Sequence, residues 1–185
     1  AARIASCEVC TELCKSVTNP VPGEGDPEAD IMFVGEAPGA EEDRQGRPFV
    51  GASGKFLAEM LESIGLTREE VYITNIVKYR PPKNRDPLPD EIQACLPYLL
   101  EQIDIINPKI VAFLGRHSMS VFLPEKKISE VHGQPTKRVY AHAGKKRTQI
   151  FLPLYHPAAA LYNGGMRETL KEDFSKIPDL LRKLT

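Results

Sequence analysis

The chain has 185 residues, of which 42% are hydrophobic and 26% are charged, and its formal net charge at pH 7 is −1. This length suits a single domain, and the near-neutral charge excludes a strongly cationic body that holds polyanions by bulk attraction. A local basic groove is still possible, because phosphate contacts need only a few Lys and Arg. No apolar run approaches the ~20 residues of a membrane span, and no secretory signal opens the chain. We therefore expect a cytoplasmic monomer without a membrane partner.

The predicted elements follow one another as a mostly α/β pattern. A Cys-rich segment (about residues 1–20) precedes a loop rich in Pro and Gly. In chain order come strand "IMFVGEAPG", helix "ASGKFLAEMLESIGL", strand "VYITNIVKYRPP", helix "PDEIQACLPYLLEQIDIINP", strand "KIVAFLG", helix "HSMSVFL", hairpin "KRVYAHAGKKRTQIFLPLYHP" and closing helix "MRETLKEDFSKIPDLLRKL". Alternating strands and helices predict one domain over residues 1–185, with a mostly parallel sheet covered on both faces.

Polar residues stand where three predicted strands end, in "GEAPGAEED", "TNIVKYRPP" and "YHPAAALYN". Sites in such sheets form at the carboxyl ends of strands. Glu36 directly follows the first strand, so its side chain can be held rigidly in a cleft. Asn75 is either a satisfied structural amide or an amide that reads a nucleobase edge. His156 ends an apolar strand, and a functional role for it is about as well supported as a structural one, whereas His117, His132 and His142 are expected to have surface or packing roles.

A basic loop, "KYRPPKNR", begins three residues after Asn75. It contains Lys78, Arg80, Lys83 and Arg85. Such a run is usually a solvated surface, but beside a pocket it favours contacts with phosphates.

The four cysteines are Cys7, Cys10, Cys14 and Cys95. A reducing compartment argues against disulfides and favours a metal site or free thiols. Four thiolates suit a [4Fe–4S] cluster and also suit zinc.

Taken together, "GEGDPEADIMFVGEAPGAEEDRQGRPFVGASGKFL", "ITNIVKYRPPKNRDPLPDEIQACLPYL", "IVAFLG" and "YHPAAAL" resemble the family 4 uracil-DNA glycosylases, the iron–sulfur branch of that superfamily. The resemblance runs in order over nearly the whole chain. It implies a three-layer α/β/α sandwich around a mostly parallel central sheet. It also implies an enzyme that hydrolyses the N-glycosidic bond of uracil in single- or double-stranded DNA by base flipping, leaving an abasic site.

The resemblance implies a role for each pocket residue. Phe49 would stack on the flipped uracil, and Asn75 would bond its N3 and O4 edge and so reject cytosine. His156 would lie at O2, where negative charge grows as the base leaves. Glu36 would position water or stabilise the oxocarbenium-like sugar. Ala37 stands where the best-known bacterial and human enzymes have an Asp, so the water-activating role is the least secure assignment.

The resemblance also implies supporting residues around the base and the duplex. Gly35 and Glu42 would belong to the substrate-binding pocket, with Glu42 shaping it against thymine's methyl group. Leu161 would fill the space left by the extruded nucleotide. One relative in the superfamily bonds covalently to uracil through a His in an Arg/Ile/His insert, and "KYRPPKNRDPLP" contains neither, so we expect turnover.

The chain departs from the family in its cysteines. Cys7, Cys10 and Cys95 match three of the family's four ligands, but Tyr79 stands at the third position, sixteen residues before Cys95. Cys14 is additional to the pattern, and our hypothesis is that it replaces the missing ligand. The alternatives are a cluster held by three cysteines, a zinc site or a lost cluster.

The sequence is also compatible with two other functions. A related glycosylase could prefer another deaminated base such as hypoxanthine, or the chain could be a non-catalytic, metal-stapled DNA-binding module. The second alternative predicts a degenerate pocket, whereas Phe49, Asn75 and His156 all stand in uracil-type places.

Overall fold

The computed structural model describes Ile4, residues 18–142 and residues 144–184. Its strands are β1 (Glu24–Gly25), β2 (Ile31–Gly35), β3 (Tyr72–Asn75), β4 (Ile110–Leu114), β5 (Thr136–His142) and β6 (Lys145–Leu154). Its helices are α1 (Ala40–Gln45), α2 (Ala52–Ser63), α3 (Pro89–Ile106), α4 (Arg116–Phe122), α5 (Ile128–Val131), α6 (Pro157–Tyr162), α7 (Gly164–Ser175) and α8 (Ile177–Lys183), with a 3-10 turn at Pro82–Asn84. No helix in this part of the chain is both long enough and apolar enough to cross a membrane.

The described strands form one sheet in the order β1-β3-β2-β4-β6-β5. β3, β2, β4 and β6 run parallel, and β1 and β5 pair antiparallel at the two edges. The central strands read as short apolar runs because both of their faces are covered. The predicted mostly parallel α/β/α sandwich is confirmed.

The two hydrophobic layers follow from the alternation of side chains along each strand. In β2, Ile31 and Phe33 face one layer, while Met32 and Val34 face the other. The first layer is covered by α2, α6, α7 and α8, and the second by α3 and α4. The parallel strands therefore direct their carboxyl ends, and the loops that follow them, to the same edge.

Two predicted elements differ from the structure. β3 is shorter than predicted, because after Asn75 the chain leaves the ladder and Ile76 N and Val77 N donate to Gly35 O and Glu36 O at 2.9 and 3.0 Å. The predicted closing helix is divided into α7 and α8 at Lys176. The division falls just before Pro178, which lacks an N–H and crowds the preceding turn.

Candidate active site

A cavity of about 420 Å³ opens where β2, β3 and β6 end. Its lining includes five of the six residues predicted for catalysis and base binding, together with Arg85 of the basic loop: Glu36, Glu42, Phe49, Asn75, Arg85 and His156. They come from separate parts of the chain and meet because parallel strands end at a common edge. A cavity of this size suits a single small ring system with its attached sugar, within the range of small-molecule sites.

Asn75 is the last residue of β3 and is only 2% exposed. Its side-chain Oδ1 is buried and has no hydrogen-bond partner among the described residues. Buried polar atoms are nearly always paired, so an orphaned amide oxygen in a cavity wall is poised for a ligand. Gly35 lies beside it in the parallel register, and a Cβ on Gly35 would lie 2.3 Å from Oδ1. Gly35 therefore makes the room in which this amide sits.

Phe49 supplies an aromatic wall and is held in an unusual backbone conformation. Its φ is +51°, a left-handed value that is costly for a bulky side chain. Arg68 Nη1 donates to its carbonyl oxygen at 2.8 Å, and a Cβ on Gly54 would lie 1.8 Å from the same oxygen. The Phe49 ring lies 5.7 Å from the ring of His156, with an interplanar angle of 29°. The strain is thus maintained at the point where the ring enters the pocket.

Glu42 fixes the loop that carries this ring. Its carboxylate accepts the backbone N–H groups of Val50 and Gly51, both at 2.9 Å, and that of Gly39 at 3.1 Å. Backbone amides are strong partners for a buried carboxylate. The geometry gives Glu42 a part in shaping the pocket through the loop, in addition to its place in the lining.

His156 has a defined tautomer. It caps α6, and its Nδ1 accepts the backbone N–H of Ala158 at 3.1 Å. An accepting Nδ1 leaves the ring proton on Nε2. Burial lowers the pKa of His156 to about 4, against the opposing charge of Glu42. At neutral pH the residue is therefore an uncharged N–H donor in the pocket wall.

Glu36 lies half-buried beside a group that the sequence did not single out. Burial raises its pKa, His117 opposes this shift and Asp86 adds to it. One ligand atom from each of Glu36, Asp86 and His117 lies within 4.8 Å of the others. This spacing could hold a cation, although solvent-facing carboxylates often group in this way without one. His117 was predicted to have a surface or packing role. It lies in the first turn of α4, three residues after β4, and the three candidate loops predicted from the sequence did not include the end of this strand.

The basic loop does not present all its cations to solvent. Lys78 is 0% exposed, and its ammonium bonds oxygens inside the protein, so the prediction that it contacts DNA phosphates is wrong. It points inward because the chain turns away from the sheet after β3. Lys83 is exposed, and Arg80 is partly exposed with its Nε bonded to Asn84 Oδ1. Arg85 forms two hydrogen bonds with the Glu91 carboxylate at 2.6 and 2.9 Å while lining the cavity.

The end of α6 carries two solvent-facing apolar side chains. Leu161 is 38% exposed and Tyr162 is 92% exposed. Asn163 follows them and accepts the N–H groups of Gly165 and Met166, so it fixes the corner between α6 and α7. Leu161 thus projects from the same short helix that His156 begins.

Of the predicted metal ligands, Cys95 alone lies within the described residues, while Cys7, Cys10 and Cys14 lie outside them. Cys95 is buried on α3, and its Sγ accepts the backbone N–H of Lys78 at 3.5 Å. Tyr79, at the family's third cysteine position, is 4% exposed and donates its hydroxyl to the carbonyl oxygen of Ile4 at 2.5 Å. A tyrosine at this position therefore bonds a residue of the N-terminal segment.

Comparison with known proteins places this geometry in a family. The model of the uracil DNA glycosylase superfamily matches residues 22–181. The chain is 54% identical over 181 residues to the Type-4 uracil-DNA glycosylase of Sulfurisphaera tokodaii, covering 96% of this chain and 81% of that protein. It is 47% identical to the Type-4 uracil-DNA glycosylase of Archaeoglobus fulgidus, covering 97% of this chain and 90% of that protein.

A solved structure agrees with the fold. The solution NMR structure of a Methanosarcina acetivorans protein named for the uracil DNA glycosylases covers 88% of this chain and 99% of its own, with a TM-score of 0.53. At 11% identity this likeness concerns the fold alone. The sequence matches confirm the predicted resemblance: the chain belongs to the uracil DNA glycosylase superfamily, among the Type-4 uracil-DNA glycosylases.

Proposed function

We propose that this protein hydrolyses the N-glycosidic bond between uracil and deoxyribose in DNA, leaving the strand intact with an abasic site. The observation that carries the proposal is the orphaned Asn75 amide oxygen, enclosed in one cavity with the Phe49 ring and an uncharged His156 donor. The Type-4 relatives carry uracil-DNA glycosylase in their names, which supports the same reaction here.

Base recognition follows from the donor and acceptor sense of one amide. Asn75 Oδ1 accepts from uracil N3–H while the amide nitrogen donates to O4, and the base stacks on Phe49. Cytosine presents an acceptor at N3 and a donor at its 4-amino group, so it opposes the amide at both points. A site built around buried polar groups rejects a base that leaves them unpaired.

Bond cleavage places charge where His156 can stabilise it. As the bond between C1′ and N1 breaks, its electron pair moves into the uracil ring and onto O2, and the sugar becomes oxocarbenium-like. The Nε2–H group of His156 donates a hydrogen bond to the developing oxyanion and stabilises it, although the imidazole itself is uncharged. Such preorganised donors typically contribute about 3 to 4 kcal/mol in an enclosed site.

Water completes the reaction at C1′, and Glu36 is our assignment for the group that positions it. The carboxylate accepts a hydrogen bond from the water, whose oxygen bonds to C1′ while its proton passes to Glu36 or solvent. A nearby negative charge also stabilises the cationic sugar. His117 and Asp86 lie within reach of Glu36 and set the electrostatic surroundings of its carboxylate.

DNA binding engages the loops around the cavity mouth. We assign the phosphate contacts to three residues of the basic loop, Arg80, Lys83 and Arg85. Lys78, the fourth cation of that loop, is buried and is not among them. Leu161 enters a duplex where the nucleotide leaves, and single-stranded DNA needs no such replacement. We propose that the protein acts as a monomer on either form of DNA.

A thiolate-bound metal group is part of the proposal. The described portion of its site fits, because the Cys95 sulfur is buried and accepts a backbone N–H. Burial lowers the pKa of Lys78 to about 7, and a negative charge at Cys95 opposes this shift. Cys7, Cys10, Cys14 and Cys95 would hold a [4Fe–4S] cluster, with zinc as the alternative. The group would supply structural cross-linking, tying the N-terminal segment to α3.

The glycosylase proposal is tested with oligonucleotides carrying one uracil, followed by alkaline cleavage of abasic sites. Wild-type protein should release uracil from single and double strands and leave cytosine and thymine untouched, while Asn75→Asp should lose roughly 10⁴-fold in rate. A hypoxanthine oligonucleotide run in parallel tests the alternative substrate. Absence of uracil release, with Asn75→Asp matching wild type, would contradict the proposal.

The metal proposal needs a separate measurement. Anaerobically purified protein should be brown, with broad visible absorbance, and should contain iron and acid-labile sulfide. Cys14→Ser should lower the iron content. A colourless preparation containing zinc would replace the cluster with a zinc site, and an unchanged iron content in Cys14→Ser would remove Cys14 from the ligands.

A further inference from the structure

Lys78 has its whole side chain inside the protein, next to the base-reading strand. It is 0% exposed, and its Nζ donates to three oxygens at 2.7 Å each: Thr74 Oγ1, the Asn75 backbone carbonyl and Gln102 Oε1. An ammonium has three donors, so this arrangement uses all of them.

The three acceptors belong to two separate elements that the ammonium joins. Thr74 and Asn75 end β3, while Gln102 lies on α3. Gln102 Nε2 and Thr74 Oγ1 also donate to the same carbonyl oxygen, that of Pro22, at 2.7 and 2.9 Å. The end of β3 is therefore fixed from one side by a closed polar network, and such networks hold a unique arrangement when every member is satisfied.

A buried ammonium is a costly way to fill space. Its three oxygen partners are all uncharged, so the cost of desolvation is offset by these hydrogen bonds and by the charge at Cys95. A methionine would occupy a similar volume in this layer without that cost. What the ammonium provides and a methionine would not is a hydrogen bond that orients the Asn75 carbonyl group.

The Asn75 side chain depends on its backbone for its direction. Oδ1 has no protein partner in the described part of the chain, so on that side no hydrogen bond aims the amide in the absence of a base. Gly35 packs against the same oxygen and leaves room for it because Gly35 has no Cβ. The Lys78 bond to the carbonyl, together with Ile76 N donating to Gly35 O, fixes the peptide plane from which the side chain departs.

We propose that Lys78 is a positioning residue for uracil recognition: its ammonium holds the Asn75 main chain so that the Asn75 amide meets the N3 and O4 edge of the base. This rests on the proposed function, because it concerns the same pocket. It makes Lys78 an interior part of the recognition apparatus and not a DNA contact.

The test is a double-mutant cycle on uracil release, using Lys78→Met, Asn75→Ala and the combination under single-turnover conditions. Lys78→Met should lower kcat/KM for uracil roughly tenfold, the value of one misplaced hydrogen-bonding group. In the Asn75→Ala background the same change should have less than about a twofold effect, because coupled residues are not additive. Equal losses in the two backgrounds would overturn the proposal.

A matched control separates positioning from loss of stability. Gln149 is also a buried polar residue, but its side chain bonds the carbonyls of Pro108 and Lys109 at the opposite end of the sheet. Gln149→Met should lower the unfolding temperature and leave kcat/KM unchanged. If Gln149→Met reduces kcat/KM as much as Lys78→Met does, the effect of Lys78 is general destabilisation.

A second variant and a second readout serve if Lys78→Met fails to fold. Gln102→Met removes one acceptor from Nζ at a partly exposed site, and its smaller loss should likewise vanish in the Asn75→Ala background. Free uracil should shift the Asn75 side-chain amide signals in ¹⁵N–¹H spectra of wild type and less in Gln102→Met at equal concentration. Equal shifts would contradict the proposal, whereas absence of uracil release by wild type would contradict the proposed function instead.

Discussion

At the pocket, polar side chains keep atoms available, whereas away from it the comparable side chains are held by one another. Asn75 Oδ1 has no partner in the described chain, and His156 gives one ring nitrogen to a backbone amide. By contrast, His132 bonds the buried carboxylate of Asp173 at 2.6 Å, and His142 bonds Asp104 at 2.8 Å.

The same residue type therefore serves folding at one place in the molecule and function at another. A histidine with a carboxylate partner joins two elements, as His132 joins the turn before β5 to α7. A histidine that is desolvated without a carboxylate in hydrogen-bond contact has its pKa lowered and faces the cavity as a neutral donor. Changes in the first group should cost stability, and changes in the second should cost catalysis.

The largest difference in rate should be seen between alanine variants of a pocket histidine and of a paired histidine. His156→Ala should lower the single-turnover rate of uracil release by about 10² to 10³, because an oxyanion donor is lost. His142→Ala, the matched control, should leave that rate unchanged and lower the unfolding temperature. A rate loss in His142→Ala as large as that in His156→Ala would contradict the contrast between paired and pocket histidines.

Acid should act on the pocket histidine through its lowered pKa. The folded pKa is about 4 and the ordinary value is 6.5, so the unfolded chain binds more protons between these limits. The His156 contribution to unfolding free energy is thus complete above pH 6.5 and falls by about 3 kcal/mol as the pH drops through 4.

Denaturant unfolding at pH 7 and pH 4, for wild type and His156→Gln, measures this contribution of His156 to the free energy of unfolding. The difference between the two pH values should be smaller by about this amount in His156→Gln. The same pH dependence in both proteins would show that His156 is not the group responsible.

Gly35→Ala should damage the pocket without removing any functional group. The added Cβ would lie 2.3 Å from Asn75 Oδ1 and 2.7 Å from two ring carbons of Phe49, so both must move. A misplacement of about 1 Å in an active site lowers the rate by about 10²-fold, so we expect a loss of this size in uracil release. Gly65→Ala is not a matched control because of its positive φ, but Gly164→Ala is, since a Cβ at Gly164 meets nothing within 4 Å. If Gly35→Ala released uracil at the wild-type rate, the pocket would accommodate the added methyl group without displacing Asn75 or Phe49.

The smallest expected effect lies in the paired group. Asp173→Asn should lower the free energy of unfolding by about 2 kcal/mol, because His132 and Lys176 lose a charged partner at a 1% exposed site. Glu168→Gln on the surface of the same helix should change it by less than about 0.5 kcal/mol. Paired denaturant curves and single-turnover assays measure both, and a rate loss in Asp173→Asn would place the Asp173 group inside the catalytic apparatus.

The sequence was sufficient to predict the order of buried strands and covering helices, since apolar runs and turn residues are local signals. It also predicted that Glu36, Asn75 and His156 lie at one edge of the sheet, because each stands at or just after the end of a strand and parallel strands end together. Family resemblance added Phe49 and Glu42, whose positions in a loop and a short helix no local pattern could bring to the pocket.

The direction of Lys78 and the neighbours of Glu36 depend on tertiary contacts. A lysine three residues beyond a strand has the same local signature whether it faces solvent or folds back onto the strand. The Lys78 side chain points inward because the chain turns after Asn75 and because Gln102 on α3 offers its ammonium an acceptor. His117 likewise reached Glu36 because β4 is paired with β2, a contact between segments that are distant along the chain. Side-chain direction is set by what the surrounding elements offer, and that information is not local.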